Sequence, residues 1–502
     1  MTLLKQGESF ILQYICKFEK NLLTKYKILC ILVIEFVIFY QKSLWRDLQM
    51  NLIYGVNDKP KFGQLIVYAI QQLLAIMTAT LVVPVIINSS CGTTMSSAAA
   101  LLGAGIGTLV YVLFTKKKSP VFLGSSFAFI GSMIAAFAGG VSMSLGFLGL
   151  IIGAIFAGLV YVAIAIIVKF AGVKWIDKVM PVAVIGPTVA IIGLSLAGNA
   201  IGDICKGSIE GIAASPLITV LCGIVTLLIT IVCSTYGKKT LKLIPFIIGI
   251  LGGYALCGIF TIIGYAADID AIKILNVAPF VALVENGVTL NTFLSVPDFT
   301  FLTAFKGIGE INGAYISTIA VAYIPVAFVV FAEHIADHKN ISSIIDTDLL
   351  EDPGLHRTLL GDGIGSMVGA LFGGCPNTTY GESVGCVAIT RNASVRTIIT
   401  AAILAVLISF ISPFIAFVNS IPSCVMGGVC MALYGFIAVS GLKMIQNVDL
   451  NQNKNLFVVS VILIAGIGGL TLNFGQITIT SIACALILGI ITNIVVSKAK
   501  ED

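Results

Sequence analysis

The sequence predicts an all-α polytopic membrane protein of about fourteen transmembrane segments in two inverted seven-segment repeats. Three observations carry that prediction. Hydrophobic residues make up 58% of the 502-residue chain, charged residues only 11%, and the mean hydropathy is +1.05, whereas about a quarter of the residues in a soluble domain are charged. Apolar stretches long enough to cross a bilayer recur from residue 64 almost to the C-terminus. Lysine and arginine gather in alternate loops, as topology requires of cytoplasmic connections.

The segments fall near 64–87, 96–114, 122–139, 144–168, 179–197, 216–235 and 242–265 in the first half. In the second half they fall near 315–336, 356–374, 380–392, 395–417, 423–442, 455–473 and 475–497. Lys116 to Lys118, then Lys169, Lys174 and Lys178, then Lys238, Lys239 and Lys242 lie on one side. Arg391 with Arg396, Lys443 with Lys454, and Lys498 with Lys500 continue on that side, while the loops at 88–95, 139–143, 417–422 and 473–476 carry no Lys or Arg. Both ends of the membrane unit are therefore expected in the cytoplasm, in a multi-pass protein of the cell membrane. The long acidic loop at 266–314 is expected to be external and to form short interfacial segments, not a separate domain. It divides the chain into two sets of seven. An odd number per half makes the second set enter the membrane with opposite orientation, an arrangement that places a binding site at the midplane.

Segments three and ten stand apart. After Pro120 the chain reads VFLGSSFAFIGS, and after Pro376 it reads NTTYGESVGCVAIT. Both are short, interrupted by Gly, Ser or Thr, and rich in β-formers. Irregular backbone at membrane depth survives only where it is buried in protein or lines a cavity, so these two are the expected walls of a site.

Two glutamates lie in otherwise apolar surroundings, Glu333 in VAFVVFAEHIADH and Glu382 in NTTYGESVGCVAITR. A charged carboxylate at the bilayer centre costs about 2.5–3.5 kcal/mol on insertion scales, which marks the pair as residues of a substrate or ion pathway. The net charge of +5 reflects loop lysines and gives no reason to expect a nucleic-acid partner. The twelve cysteines are scattered without a CxxC pair and read as small apolar packing residues, so no metal site or disulfide is expected.

The runs GSSFAF at 124–129, AEHIADH at 332–338, DPGLHR at 352–357, PNTTYGESVGCVAITR at 376–391 and PSCVMGGVCMALYG at 422–435 together resemble the uracil permease branch of the nucleobase/ascorbate transporter family. The resemblance covers about 450 residues, from near Met50 to the C-terminus. It implies a core domain built from 64–168 and 315–417 and a gate domain built from 179–265 and 423–497. Short strands in segments three and ten would meet at the substrate. It further implies a secondary active transporter, commonly proton-coupled with sodium as the alternative ion, pairing as homodimers through the gate domains in the lipid bilayer. No cofactor and no catalytic residue are implied.

The chemistry suits uracil, a planar ring with two N–H donors and two carbonyl acceptors. Carried over by resemblance, Glu333 and Glu382 would accept from the ring N–H groups, and the backbone N–H groups of Phe127 and Gly381 would donate to carbonyl oxygens. Charge-assisted bonds of this kind are roughly twice as strong as neutral ones. Phe127 is also placed to stack on the ring, Tyr434 to reach the site from the gate domain, and Tyr380 to assist. The same glutamates are the expected proton-coupling groups, Glu333 first, because burial disfavours the charged form and a closing cavity can favour proton uptake on one side and release on the other.

The chain departs from the family pattern at three places. A His common four residues after the eighth-segment glutamate is replaced by Asp337, with His338 one position further on; both read as polar residues at the cytoplasmic end of the helix. An i, i+4 relation turns Asp337 toward Glu333, while His338 points about 100° away. The Gln-His of the first segment becomes Gln71 and Gln72, and the Asn after the tenth-segment glutamate becomes Ser383. Gln72 and Ser383 keep the capacity to donate a hydrogen bond.

Other functions remain at this level. A xanthine or purine permease shares the fold, although Glu in YGES favours the uracil branch over the Gln frequent in xanthine carriers. An anion transporter or channel of the related sulfate-carrier fold would have its substrate repelled by two carboxylates. An embedded enzyme would need a motif such as HExxH, which does not occur. Residues 1–49 lie outside the resemblance; they carry Lys5, Lys17, Lys20, Lys25 and Lys27 before a short apolar run containing Glu35. They read as an upstream start or an interfacial helix.

Overall fold

The computed structural model describes residues 52–172, 180–207, 209, 214–238, 240–285, 287–446, 448–474 and 477–497. The extension at 1–49 lies outside the described residues, as do Lys174, Lys178, Lys239, Lys498 and Lys500.

The first half runs as α1 (Phe62–Cys91), α2 (Ser97–Phe114), β1 (Leu123–Ser125), a 3-10 turn Phe127–Phe129 leading into α3 (Ile130–Ala136), then α4 (Met143–Ala171), α5 (Val182–Ser195), α6 (Ala197–Ile204), α7 (Pro216–Tyr236) and α8 (Pro245–Ala266). The second half repeats the order: α9 (Gly313–Ile345), α10 (Leu355–Gly373), β2 (Asn377–Thr379), α11 (Gly381–Thr390), α12 (Val395–Ile408), α13 (Ser412–Ser420), α14 (Ser423–Ile445) and α15 (Asn453–Ile467). The hairpin β3 (Leu472–Phe474) and β4 (Ile477–Ile479) follows, and α16 (Ser481–Val496) closes the series. Among the described residues, eight helices are long and apolar enough to cross a membrane, counting α5 and α6 as one.

Local chemistry sets the boundaries. Ser96, Ser142, Asn312 and Thr480 each accept a backbone N–H of the first turn of α2, α4, α9 and α16, supplying the partner those amides lack within the helix. Proline opens α7 and α8, where its missing N–H costs nothing. The expected eleventh segment breaks in two at 409–411: Ser409 Oγ bonds back to Val406 O, Ile411 is extended, and Pro413 sits in the first turn of α13, where its missing N–H costs nothing. Of the loop expected at 473–476, residues 473 and 474 instead belong to β3, which pairs antiparallel with β4. Its β-branched run ITIT prefers an extended backbone.

Helices α2, α10, α4, α12, α9 and α1 pack as one set, with α2 against α10 the most extensive contact among the described elements. Small residues permit that approach. A Cβ on Gly103 would lie 2.5 Å from the Gly369 carbonyl, and one on Gly107 would lie 2.7 Å from the Gly365 carbonyl, the close backbone contact that small residues at four-residue spacing allow in membrane helices. A second set comprises α14, α5, α6, α7, α8, α15 and α16.

Strands β1 and β2 pair antiparallel inside the first set, with Leu123 opposite Thr379, Gly124 opposite Thr378 and Ser125 opposite Asn377. Equivalent segments of two halves related by a two-fold axis in the membrane plane must run antiparallel where they cross, so the pairing is the signature of inverted repeats. The 266–314 connection forms short helical pieces docked on the bundle. Ser295 N bonds Phe410 O, Ser412 Oγ bonds Asn291 O, and Phe299 and Phe301 pack on Phe372.

Candidate functional site

Each strand is short because neighbouring side chains take over its hydrogen bonding after three residues. Thr108 Oγ1 on α2 accepts Leu123 N at 2.9 Å, Ser383 Oγ on α11 accepts Phe122 N at 2.9 Å, and Ser126 N donates to Pro376 O at 2.9 Å. Asn377 reaches back from β2 to donate to Gly103 O at 3.0 Å. Buried backbone polar groups without water must be paired, and these contacts do so.

Immediately after each strand a helical turn begins, at Phe127 and at Gly381. The first N–H groups of a helix have no acceptor within it, and the helix dipole places partial positive charge there. The two starts lie on one small cavity of about 40 Å³, lined by Ser126, Phe127, Ala128, Thr378, Tyr380, Gly381 and Glu382 from the strand regions. Glu333 enters from α9, and Ile192 on α5 and Ile437 on α14 close the wall from the second helix set. Glu382 sits in the first turn of α11, where the dipole favours its charge. Among the described residues, no lysine or arginine lines the cavity. The polar groups it offers are two carboxyl groups and the starts of two helices, set among apolar walls.

Of the residues singled out in the sequence, the structure brings Glu333, Glu382, Phe127, Gly381 and Tyr380 together on this cavity. Tyr434 sits one layer back, its ring edge-to-face with Phe127 at 6.0 Å and 78°. Tyr380 Oη donates to Ser125 O at 2.6 Å and so fixes the strand as well as lining the site. Gln72 and Ser383 do not line the cavity; Gln72 Nε2 donates to Ser383 Oγ at 2.5 Å, which ties α1 to α11. Asp337 and His338 are not at a frayed helix end. Helix α9 continues to Ile345, and both side chains are buried. Asp337 accepts from Thr379 Oγ1 at 3.0 Å, bracing β2. His338 faces away, as the 100° rotation requires, and meets Tyr111 Oη at 2.7 Å.

Sequence reasoning passed over Ser126, Thr378, Ile192 and Ile437, which carry no signal beyond their place beside the motifs. It also passed over His334 and Asp362. These are fully buried, with His334 Nδ1 2.6 Å from Asp362 Oδ2; an ionisable residue in each of two apolar segments was the available signal.

The sequence matches the permease family over residues 63–474. The chain belongs to the nucleobase/ascorbate transporter family. It is 38% identical over 447 residues to the uracil permease of Bacillus caldolyticus, covering 88% of this chain and 94% of that protein. The uracil permease of Escherichia coli (strain K12) is 37% identical over 438 residues, covering 87% and 92%. Among solved structures, the transmembrane domain of the cyanobacterial bicarbonate transporter BicA superposes with a TM-score of 0.57 at 14% identity, over 88% of this chain and all of that one. The inward-facing murine Solute Carrier 26 family member A9 anion transporter gives 0.58 at 10% identity, over 88% and 69%. These two likenesses show a shared fold. As a permease-family chain with many apolar helices, this is a multi-pass membrane protein and a transporter.

Proposed function

We propose that this permease imports uracil across the cell membrane by proton symport with alternating access. The observation that carries the reading is the convergence of Glu333 and Glu382, from separate elements of the second half, on the two helix starts at Phe127 and Gly381. In this reading Glu333 and Glu382 accept from the ring N–H groups, the Phe127 and Gly381 amides donate to the carbonyl oxygens, and Phe127 packs against the ring. The helix set holding β1 and β2 acts as the core and the set holding Ile192 and Ile437 as the gate, so that relative movement opens the cavity to one side at a time. Relatives whose names state uracil transport, at 37–38% identity over most of the chain, support the substrate.

Proton coupling follows from the absence of any cation among the lining residues to hold two carboxylates ionised. A proton taken with the substrate lowers that charge, and its release inside restores the empty site. Both chain ends of the membrane unit are placed in the cytoplasm, in keeping with the lysine-bearing loops. Helices α7 and α8 are the least buried of the eight, at 28% and 33% of their apolar windows, and they are the surface through which a homodimer would form.

The test is uptake of labelled uracil in cells lacking their own permease, with and without a protonophore, for wild type, Glu333→Gln and Glu382→Gln. Saturable uptake that rises as external pH is lowered, collapses with the protonophore and is lost in both variants is expected. Uptake that survives both substitutions would remove the glutamates from the site; uptake of xanthine in place of uracil would move the chain to the purine branch, and sodium-driven uptake would replace the ion.

A further inference from the structure

Behind the strands, outside the cavity, lies a second cluster of ionisable side chains. His334 on α9 and Asp362 on α10 are both 0% exposed, with Nδ1 and Oδ2 2.6 Å apart. His334 Nε2 lies 3.0 Å from Thr358 Oγ1, and the Thr358 hydroxyl donates to Leu355 O at 3.1 Å. Tyr161 on α4 packs edge-on to His334 at 6.2 Å, and the His338 ring stacks on it at 4.0 Å. His338 is itself tied to His334 O through Nδ1 at 2.8 Å and to Tyr111 Oη through Nε2 at 2.7 Å. Glu333 and Asp337, on the same helix, complete the ionisable neighbours of the pair.

Counting hydrogens decides the state of this cluster. The single hydroxyl proton of Thr358 is directed at Leu355 O, so Thr358 offers a lone pair to His334 Nε2, which must then carry hydrogen. The 2.6 Å contact at Nδ1 needs one further proton. If Asp362 were an anion, its charge would sit wholly buried with Oδ1 unpartnered; the Thr379 N–H interacts with the carboxyl group as a hydrogen-bond donor and still leaves Oδ1 without a partner. A buried carboxylate with one oxygen unpaired is costly, whereas the carbonyl oxygen of a neutral acid tolerates the same place at far lower cost. Removing the proton altogether would set a lone pair against an anion at 2.6 Å. At the neighbouring histidine, Nδ1–H donates to the His334 carbonyl, Nε2 lies 2.7 Å from Tyr111 Oη, and Tyr111 Oη donates to Ser119 Oγ at 2.7 Å.

We propose that Asp362 is a positioning residue held as a neutral acid throughout transport, its O–H donating to His334 Nδ1. The pair locks α9 to α10 one residue from Glu333 and so aims that carboxylate at the cavity. The proton it holds stays in place while the cavity carboxylates exchange theirs. The inference rests on the proton-symport reading for its contrast with Glu333, and counterflow, which needs no ion gradient, separates the two.

The test compares Asp362→Asn, Asp362→Ala and Glu333→Gln for proton-driven uptake of uracil, its pH profile, and counterflow, with expression followed by size-exclusion chromatography. The Asn side chain has the shape of the protonated acid and an N–H for Nδ1. Asp362→Asn is expected to keep uptake within about twofold and leave the pH profile unmoved. Asp362→Ala, which strands Nδ1, is expected to lose about tenfold or more. Counterflow retained with proton-driven uptake lost, or a displaced pH profile in Asp362→Asn, would overturn the proposal by making Asp362 a group that ionises in each cycle. If Asp362→Asn does not reach the membrane, His334→Gln takes its place, since its amide can meet the acid group in either protonation state and has no proton to exchange; uptake retained with an unmoved pH profile supports the proposal, and a displaced pH profile or uptake lost in a well-folded His334→Gln overturns it. Protonophore-insensitive wild-type uptake would revise the coupling ion and leave the counterflow comparison of Asp362→Asn with Asp362→Ala to decide the pair.

Discussion

The ring of Phe127 meets the ring of Tyr434 edge to face, centroids 6.0 Å apart and planes at 78°. Phe127 follows β1 and Tyr434 belongs to α14, so the contact joins the strand-bearing helix set to the other. An aromatic pair of this geometry contributes roughly 0.5–1.5 kcal/mol beyond its buried area.

If the two sets move past each other during transport, that contact forms in one state and breaks in the next. Tyr434→Phe keeps the ring and is expected to transport like wild type. Tyr434→Ala removes the contact and is expected to raise KM for uracil several-fold, with a change in kcat of similar size. Initial-rate kinetics in proteoliposomes distinguish the two; a Tyr434→Phe defect as large as that of Tyr434→Ala would assign the role to the hydroxyl.

Gly124 is opposite Thr378 at the centre of the strand pair, and a Cβ there would lie 2.3 Å from the Tyr380 ring. Gly124→Ala is therefore expected to displace Tyr380, break its 2.6 Å bond to Ser125 O and destabilise the protein by about 1–3 kcal/mol. Thermal unfolding in detergent measures this. Tyr380→Phe, which deletes only the hydroxyl, is expected to cost less.

Ser383 holds two partners at once, the Phe122 amide at 2.9 Å and Gln72 Nε2 at 2.5 Å. Ser383→Ala leaves both donors buried and is expected to cost about 1–3 kcal/mol for each. Combining it with Gln72→Met should cost less than the sum of the two single changes, since the second substitution removes a donor already stranded. Strict additivity in a double-mutant cycle would show that the two residues act separately.

The cavity presents acceptors where the ring is expected to present N–H. Uracil methylated at both ring nitrogens keeps its shape and its carbonyl oxygens and loses both donors, leaving Glu333 and Glu382 unpaired. It is expected to compete with labelled uracil at least about a hundredfold less well than uracil itself. Equal competition would show that recognition comes from shape alone.

The sequence by itself determined the class, the segment order and the reason to look at segments three and ten. Those features follow from apolar length, the lysine pattern and β-forming interruptions, all properties of local composition. It also marked Glu333 and Glu382, because a carboxylate in an apolar segment is conspicuous wherever it ends up. Tertiary structure decided the rest. The Phe410 carbonyl at the break of the eleventh segment is met by Ser295 N from a distant connection, and the partnership of Gln72 with Ser383 spans helices 311 positions apart. Whether Asp337 and His338 end a helix or lie buried within it, one bracing β2 and the other meeting Tyr111, was settled by how far α9 continues and what packs on it. His334 and Asp362 are unremarkable letters until two helices bring a nitrogen and an oxygen to 2.6 Å. Periodicity reports which way a side chain points along its own helix; which partner waits there is fixed only when the helices pack.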